Sequence, residues 1–258
     1  PTESIPNACL GWAETQAAYR FLSNPRSDWQ ALLEPHWASS LERMRQHKVV
    51  LNIQDTTELD FNGRQTAGLG PLSYEAQRGM YLHPTYAISP EREPLGVLDA
   101  WMWARESKGS DGQRPGIKES LRWIEGYERV AERAKALPSV RQVYVADREA
   151  DILALLVKAR DLEYAADYLV RCQHNRALPS GDKLWAKLAQ APVLGSVRFE
   201  LPSGRGRKGR CVQQNIRAEQ VEIGDGAGGQ LSVTCVLAEE SNPPAGSKPV
   251  LWRLLSNR

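Results

Sequence analysis

The sequence has few of the residues that build zinc sites and disulfide frameworks, with four cysteines and four histidines in 258 residues. No Cys-X-X-Cys pair occurs, and no histidine stands at metal-ligand spacing from a cysteine, so neither structural zinc nor a set of disulfides is predicted. We expect the thiols to be reduced and buried, and we assign the histidines no catalytic role. The cysteines are Cys9, Cys172, Cys211 and Cys235, and the histidines are His36, His47, His83 and His174.

Long apolar runs and a strong charge of one sign are also missing. No run approaches the roughly eighteen apolar residues of a membrane-spanning helix, and the N-terminal PTESIPNACL lacks the charged and apolar regions of a signal peptide. We therefore expect a cytoplasmic protein with no membrane partner. The net charge of +2 argues against a strongly basic nucleic-acid wrapper but leaves room for local basic patches.

What the sequence does contain is a regular succession of helix and strand patterns. Apolar spacing, capping residues and β-branched runs predict the order of these elements along the first two thirds of the chain. They are helices within 11–25 and about 29–46, strands 49–54, 79–88 and 95–103, helix 116–138, strand 142–146, helix 149–162 and strand 167–172. From the first strand onward, the order β-β-β-α-β-α-β is that of a ribonuclease H-like fold, in which the first and fourth strands are interior neighbours.

After Gln173 the pattern changes to antiparallel β structure. Alternating runs at 195–201, 210–223 and 230–239, joined by PSGRGRKG and GDGAGG, predict a β insertion, and PVLWRLLS predicts a closing strand. The predicted fold class is α/β: a ribonuclease H-like mixed sheet with an inserted antiparallel β subdomain and an N-terminal helical segment. The predicted boundaries are 1–47 for the helical segment, 48–175 for the core, 176–247 for the insertion and 248–258 for the returning core strand.

Two of the predicted interior strands end at an aspartate. VVLNIQDTTELD carries Asp55, and QVYVADREAD carries Asp147. If the two strands are neighbours, the carboxylates share one site, where they repel each other unless a proton or a cation lies between them. Oxygen ligands of this kind suit Mg²⁺ or Mn²⁺. The alternative is that each acid is a turn residue or a helix N-cap, which is plausible for Asp147 just before a predicted helix.

Several separated motifs resemble one family of bacterial enzymes. GWAETQAAYRFLSNP, IQDTTELDF, RGMYLHP and VYVADREAD together resemble the insertion-sequence-four family of Asp-Asp-Glu transposases, to which the transposon-five transposase belongs. The resemblance covers nearly the whole chain. It implies that Asp55 and Asp147 are the first two acids of a catalytic triad that holds two Mg²⁺ or Mn²⁺ ions.

The third acid of that family is a glutamate in a Tyr-Arg-Glu-Lys helix that follows the strand containing Trp252. The sequence stops at Arg258 before such a helix, and its N-terminus begins partway through the family's DNA-binding region. By the resemblance, we therefore expect a chain that covers most of the catalytic core, with a partial N-terminal DNA-binding region, and that is inactive alone.

The chemistry that the resemblance implies is cut-and-paste DNA transposition. A metal-activated water cuts the transposon end, the freed 3′-hydroxyl forms a hairpin, and after reopening it joins the target. The implied partners are double-stranded DNA, as transposon ends and as target, and a second copy in a full-length homodimer located at the bacterial nucleoid. Two alternatives stay open: a ribonuclease H-like nuclease that cuts without joining, and a catalytically silent DNA-binding remnant.

Basic and aromatic residues near the predicted site are candidates for contact with DNA. Arg171 lies at the end of strand 167–172, and Arg176 follows it. The resemblance assigns Arg171 a DNA contact; alternatively, it pairs with Glu149 or Asp151. The resemblance also assigns Trp252 the role of receiving a flipped base, worth about 1 to 3 kcal/mol in stacking; without it, Trp252 would be a core residue.

A glycine-rich turn supplies a further group of cations. We expect one of two roles for SGRGRKGR. It is either a hairpin tip that lies along DNA phosphates or an ordinary charged turn in solvent. Its candidate DNA-binding residues are Arg205, Arg207, Lys208 and Arg210.

Overall fold

The computed structural model describes residues 4–63, 66–116, 118–204 and 208–258, which form a mixed α/β structure around one large sheet. The helices are α1 (Ile5–Ala8), α2 (Trp12–Leu22), α3 (Trp29–Met44), α4 (Leu121–Ala136), α5 (Leu153–Asp161) and α6 (Leu184–Gln190). The strands are β1 (Val49–Gln54), β2 (Thr57–Asp60), β3 (Gly70–Pro71), β4 (Arg78–Ile88), β5 (Pro94–Trp103), β6 (Arg141–Ala146), β7 (Asp167–Arg171), β8 (Val193–Leu201), β9 (Arg210–Gly224), β10 (Gln230–Glu240) and β11 (Leu251–Ser256).

The strands follow the order β4-β1-β6-β7-β11-β10-β9-β8 across the sheet, and β4 also pairs with β2, β3 and β5. β6 is parallel to both β1 and β7, whereas the other pairings are antiparallel. The register of β1 on β6 runs from Val49 opposite Arg141 to Gln54 opposite Ala146. The prediction that strands 49–54 and 142–146 are interior neighbours is therefore confirmed.

One face of this central sheet is covered by α4, whose apolar stripe is buried. The stripe faces the alternate residues of the strands, and each large apolar side chain buried there contributes about 1.5 to 3 kcal/mol. The largest fully buried side chains of this layer are Tyr127, Tyr144, Tyr168, Leu155 and Leu156.

Two polar pairs join β1 to β6 inside the covered face. Asn52 donates from Nδ2 to Gln142 Oε1 at 2.9 Å, and the Tyr144 hydroxyl donates to Gln54 Oε1 at 2.6 Å. Gln54 also fills the space next to Gly126 of α4, where a Cβ atom would lie 2.0 Å from Gln54 Oε1. The glycine therefore allows α4 to approach the strand that leads into Asp55.

Two of the predicted helices have different boundaries in the structure. Helix 116–138 begins only at Leu121, because Gly116 has φ +89° and the chain turns at 119–120. Helix 149–162 is divided into a 3₁₀ turn, Arg148–Ala150, and α5. The break falls at Asp151, whose carboxylate turns inward to bind the backbone after β7. The short elements α1, β2, β3 and α6 were not predicted.

The predicted β insertion extends the sheet. β8, β9 and β10 form an antiparallel meander, and β10 pairs with β11, which in turn pairs with β7. All three strands lie within two residues of their predicted bounds. The four domain boundaries proposed from the sequence stay predictions.

The end of the described chain is tied to β7 by one buried carboxylate. Asp167 accepts hydrogen bonds from Asn257 at 2.8 Å, from Arg258 at 2.7 Å and from Arg141 at 2.5 Å. Burial alone would raise the pKa of Asp167, but these hydrogen bonds outweigh it and lower the pKa. Both arginines are about half-exposed, so solvent screens their attraction.

The four cysteines are free thiols, as expected from their spacing. The expectation that all are buried is wrong for two of them: Cys172 and Cys235 are buried, Cys9 is half-buried, and Cys211 is exposed. The Cys211 Sγ atom on β9 accepts a hydrogen bond from Arg198 Nε at 2.8 Å. Arg198 lies on β8, the edge strand next to β9. Among the described residues, no helix is long and apolar enough to cross a membrane.

Candidate active site

A row of side chains, three of them predicted from the sequence as site residues, crosses four strands at one edge of the central sheet. The last register pairs of β1, β6, β7 and β11 place Asp55, Asp147, Arg171 and Leu254 level with one another. Adjacent strands lie about 4.8 Å apart, so neighbours in the row are in reach of a common ligand. Together with Trp252, the row lines a cleft of about 260 Å³.

The two carboxylates of this row each have one oxygen held by the backbone. Asp55 Oδ1 accepts from the N–H of Thr56, and Asp147 Oδ1 accepts from the N–H of Glu149, both at 2.8 Å. Asp147 is thus the cap of the 3₁₀ turn, as the alternative interpretation proposed. Within the described chain, neither Oδ2 atom has a hydrogen-bond or ion-pair partner, so capping leaves an oxygen of each aspartate available to the cleft.

Arg171 and Trp252 form a stacked pair beside the aspartates. The Arg171 guanidinium carbon lies 4.7 Å from the centre of the Trp252 ring, and the tryptophan is 44% exposed. The structure thus provides Arg171 with an aromatic partner rather than Glu149 or Asp151. The exposure of Trp252 also argues against its interpretation as a core residue.

A second, polar cleft of about 200 Å³ continues from the aspartates on the side of β4 and β5. It is lined by residues that include Thr56, His83, Arg105, Glu119 and Glu149. Burial, followed by the charges of Asp147 and Asp55, raises the pKa of Glu149. Glu149 therefore experiences both aspartates electrostatically, as expected for acids gathered at one edge of a sheet.

His83 is the buried histidine of this polar cleft. Its ring nitrogens lie 3.3 Å from Thr56 Oγ1, and Trp123 packs edge-on against the ring. Burial, followed by the charge of Arg122, lowers the pKa of His83 to about 4. The imidazole is therefore neutral at physiological pH.

Arg176, a DNA-binding candidate from the sequence, is engaged inside the protein. Its Nη2 atom lies 2.5 Å from Asp151 Oδ1, and its side chain is only 14% exposed. The Asp151 side chain is fully buried and also accepts from the N–H groups of Gln173 at 2.6 Å and His174 at 2.8 Å. The geometry therefore gives Arg176 a structural role, and we do not retain it as a DNA contact.

One feature of the sequence could have predicted this ion pair. Asp151 is an acid in a segment predicted to be a half-buried helix, and an acid in such a place requires a partner. A basic residue in the loop after the neighbouring strand is the expected partner.

The cations of the glycine-rich turn do not act as one group. Arg210 forms a two-pronged ion pair with Glu240, at 3.1 and 2.7 Å, and is mostly buried, so it too is better explained as structural. Lys208 is exposed. Arg205 and Arg207 lie outside the described residues, and their proposed DNA contacts stay predictions.

Asp55 and Asp147 are the two predicted metal ligands that this cleft brings together. No group of three or more histidine, cysteine, aspartate or glutamate side chains that could hold a metal ion occurs in the ranges that the structure describes. Two oxygen donors fit one hard divalent cation as part of its coordination shell.

Comparison with known proteins adds an independent observation at the N-terminus. Residues 1–27 match the transposase DNA-binding family. The match covers α1 and α2, and it supports a transposase with DNA as its partner.

One solved structure that aligns with this chain is a piggyBac transposase, seen by cryo-electron microscopy in a synaptic complex with hairpin DNA. The TM-score is 0.37 and the sequence identity is 13%. The alignment covers 95% of this chain and 40% of the other, so this chain spans less than half the length of that transposase.

Proposed function

We propose that the chain is the catalytic region of an Asp-Asp-Glu transposase of a bacterial insertion sequence, which performs metal-dependent DNA cleavage and strand transfer. The observation that carries this proposal is the pairing of Asp55 with Asp147 at the ends of two parallel, in-register strands, in one cleft with Arg171 and Trp252. The match of residues 1–27 to transposase DNA-binding segments supports the same reading.

The strand arrangement supports a ribonuclease H-like core for this enzyme. The antiparallel strands β5 and β4 precede β1, which is followed across the sheet by the parallel strands β6 and β7. If β1, β4, β5, β6 and β7 are numbered 1 to 5 in chain order, their order across the sheet is 3-2-1-4-5. It agrees with the β-β-β-α-β-α-β order read from the sequence.

The proposed cofactor is Mg²⁺ or Mn²⁺ held by the free Oδ2 atoms of Asp55 and Asp147. A bound divalent cation would lower the pKa of a water molecule and neutralise charge on the scissile phosphate. Backbone hydrogen bonds to the two Oδ1 atoms fix the orientation of the carboxylates before any ligand arrives. A pair of ions, as proposed from the resemblance, needs further ligands beyond these two side chains.

Arg171 and Trp252 supply the groups that orient DNA in this proposal. The guanidinium of Arg171, level with Asp147, is placed to bind a phosphate next to the bond that is cut. One face of Trp252 stacks against Arg171, and the exposed remainder offers a surface for an unstacked base, worth about 1 to 3 kcal/mol. Double-stranded DNA is the proposed substrate, and a homodimer is proposed for the full-length parent.

A catalytically silent DNA-binding protein is the second candidate. The observation that favours it is the lack of a third acidic ligand among the described residues. A nuclease that cuts without joining differs from the transposase only in its products.

Calorimetric titration with Mn²⁺ tests the shared site. We expect the wild-type chain to bind the ion and Asp55→Asn and Asp147→Asn each to weaken binding at least about tenfold, the loss that follows removal of a charged ligand. The matched control is Asp60→Asn, because Asp60 is the last residue of β2 and also binds a backbone N–H, that of Asn62 at 2.7 Å, outside the cleft. Equal uptake of Mn²⁺ by all four proteins would remove the proposed site.

Labelled DNA with a recessed 3′-hydroxyl end, mixed with the full-length parent protein, a supercoiled target and Mn²⁺, separates the three functions. Joined products that disappear in Asp147→Asn support the transposase. Cleavage without joining identifies the nuclease. Metal and DNA binding without either product identifies the silent protein.

A further inference from the structure

A cleft of about 490 Å³ lies between the end of β5 and the start of α4. Its walls are formed by the connecting loop and the first turn of α4. Three of its residues, Trp103, Arg105 and Glu119, also line the polar cleft that reaches Thr56 and Glu149, the neighbours of the two aspartates. The loop cleft therefore leads through the polar cleft to residues that are next to the two aspartates in the chain, on the side opposite to Arg171 and Trp252.

Two of the cations in the loop cleft are neutralised by acids. Arg105 donates to both oxygens of Glu119, at 2.6 and 2.8 Å, and Arg114 pairs with Glu75. The other two lining cations, Lys118 and Arg122, face the same space, which Glu106 also lines; Arg122 is paired with Glu125 at 3.3 Å. Lys118 is exposed and forms no ion pair with any residue that the structure describes.

Arg122 is a buried cation whose hydrogen bonds are incomplete. Its side chain is 9% exposed, and its guanidinium lies 4.6 Å from the centre of Trp101 and 5.4 Å from that of Trp103. Its Nη1 atom is 3.3 Å from Glu125, whereas Nε has no partner within the described parts of the chain. Buried polar groups normally have partners, so the Nε–H group of this guanidinium is available to donate to a further acceptor.

The start of α4 adds a field of the same sign. The helix has 16 residues, no acidic residue in its first turn and no side-chain hydrogen bond from its N-cap residue Ser120. The N-terminus of a helix favours a negative charge through its dipole. The N–H groups of Leu121 and Arg122 already donate to the carbonyls of Lys118 and Glu119, so the dipole is the contribution of the helix here. A phosphate group at this position would meet Lys118, Arg122 and the helix N-terminus together.

We propose that the loop cleft binds a backbone phosphate of DNA. The proposal rests on the proposed function and specifies the path of the substrate: the strand passes from Arg171 and Trp252, across Asp55 and Asp147, to Lys118 and Arg122. DNA is thereby held on both flanks of the bond that is cut. The order of the strands supports this path, because β5 and β7 lie on opposite sides of the β1–β6 pair.

The salt dependence of DNA binding tests the proposal without any catalytic step. The dissociation constant of a fluorescein-labelled duplex is measured by anisotropy in EDTA, between about 50 and 200 mM KCl, and log K is plotted against log [KCl]. We expect Lys118→Gln and Arg122→Gln each to reduce the slope by about 0.9, the value for one lost phosphate contact on B-DNA. Lys135→Gln, on the exposed last turn of α4, is the matched control and keeps the wild-type slope.

Unchanged slopes in the Lys118 variant would overturn the proposal even if Arg122→Gln perturbs folding, because Lys118 is exposed. The Arg122 Nε–Hε resonance provides a second measurement. We expect it to shift when the duplex is added and inorganic phosphate to compete only at high concentration. If inorganic phosphate shifts this resonance and the duplex neither shifts it nor displaces the phosphate, the cleft binds the free anion, and the DNA path is refuted.

The outcome is separable from that of the metal test. In EDTA, Asp55→Asn should retain the slope reduction caused by Lys118→Gln, because the two sites make different contacts. Loss of Mn²⁺ binding with normal slopes in the Lys118 and Arg122 variants would support the metal site alone. Altered slopes without specific Mn²⁺ binding would support the DNA path alone.

Discussion

The ion pair between Asp151 and Arg176 should be one of the most costly single interactions to remove from this protein. Asp151→Asn takes away the negative charge but keeps the size of the side chain. The asparagine oxygen, in the place of Oδ2, can still accept from both backbone N–H groups after β7, but its amide nitrogen then lies at the Oδ1 position and cannot pair with the guanidinium. Arg176, at 14% exposure, is then left as a buried cation without a carboxylate.

The structure allows the size of this effect to be stated. Removal of one partner from a buried ion pair costs about 3 to 5 kcal/mol, and we expect the lower end, about 3 kcal/mol, because Arg176 also contacts the Asp151 carbonyl at 3.4 Å. Arg176→Met should cost less, about 1.5 to 3 kcal/mol, since Asp151 keeps its two backbone donors. The double variant should cost at least about 1 kcal/mol less than the sum, because the residues are in contact.

Urea unfolding followed by tryptophan fluorescence measures these differences. A loss below about 1 kcal/mol for Asp151→Asn would refute the assignment of a buried ion pair. DNA binding provides an independent check. If folded Arg176→Met reduces the salt slope by about one contact, then Arg176 does touch DNA, as the sequence suggested, and the structural role is incomplete.

Three further predictions concern stability, each measured by urea unfolding. Gly126→Ala should lower the free energy of unfolding by about 1 to 3 kcal/mol in spite of the better helix propensity of alanine, because its Cβ would lie 2.0 Å from Gln54 Oε1; if the variant is as stable as the wild type, α4 does not approach β1 so closely. His83 has a pKa of about 4 in the folded protein and 6.5 ordinarily, so the unfolded chain binds more protons between these values, and its contribution is complete above about pH 6.5 and is lost as the pH falls toward 4. This loss should approach 3 kcal/mol, and His83→Gln should remove that part of the pH dependence; an identical profile in the variant would contradict the buried neutral ring. Asp167 has a lowered pKa, so its contribution is present above the ordinary value of 3.8 and disappears as the pH falls through the folded pKa. Asp167→Asn should therefore cost about 1 kcal/mol at pH 7 and progressively less as the pH falls below 3.8, and a cost that does not change with pH would point to a packing effect.

Most of the central sheet could be predicted from the sequence because its signals are local. β1 and β6 alternate between buried and half-buried residues and are β-branched, and each stops where a charged segment begins. Asp55 and Asp147 were found for the same reason: an acid that follows directly on a buried strand is conspicuous. The adjacency of the two strands followed from the order of the elements.

The features that were not predicted depend on contacts between distant segments. The role of Arg176 depends on Asp151, 25 residues away, and that of Arg210 depends on Glu240, 30 residues away. Without those partners, each arginine looks like a surface cation near DNA. The loop cleft was missed because Arg122 lies on the apolar stripe of a helix, and the missing partner of its Nε atom can be recognised only in three dimensions.

The buried amide and hydroxyl pairs between β1 and β6 have a consequence for sequence variation. A shift of β1 by one position would separate Asn52 from Gln142 and Gln54 from Tyr144, and it would turn Asp55 toward α4. The level alignment of the two acids is thus specified by uncharged side chains on the opposite face of the same strands. In a library of random variants, tolerated changes at Asn52 should therefore accompany changes at Gln142, although neither residue touches the cleft.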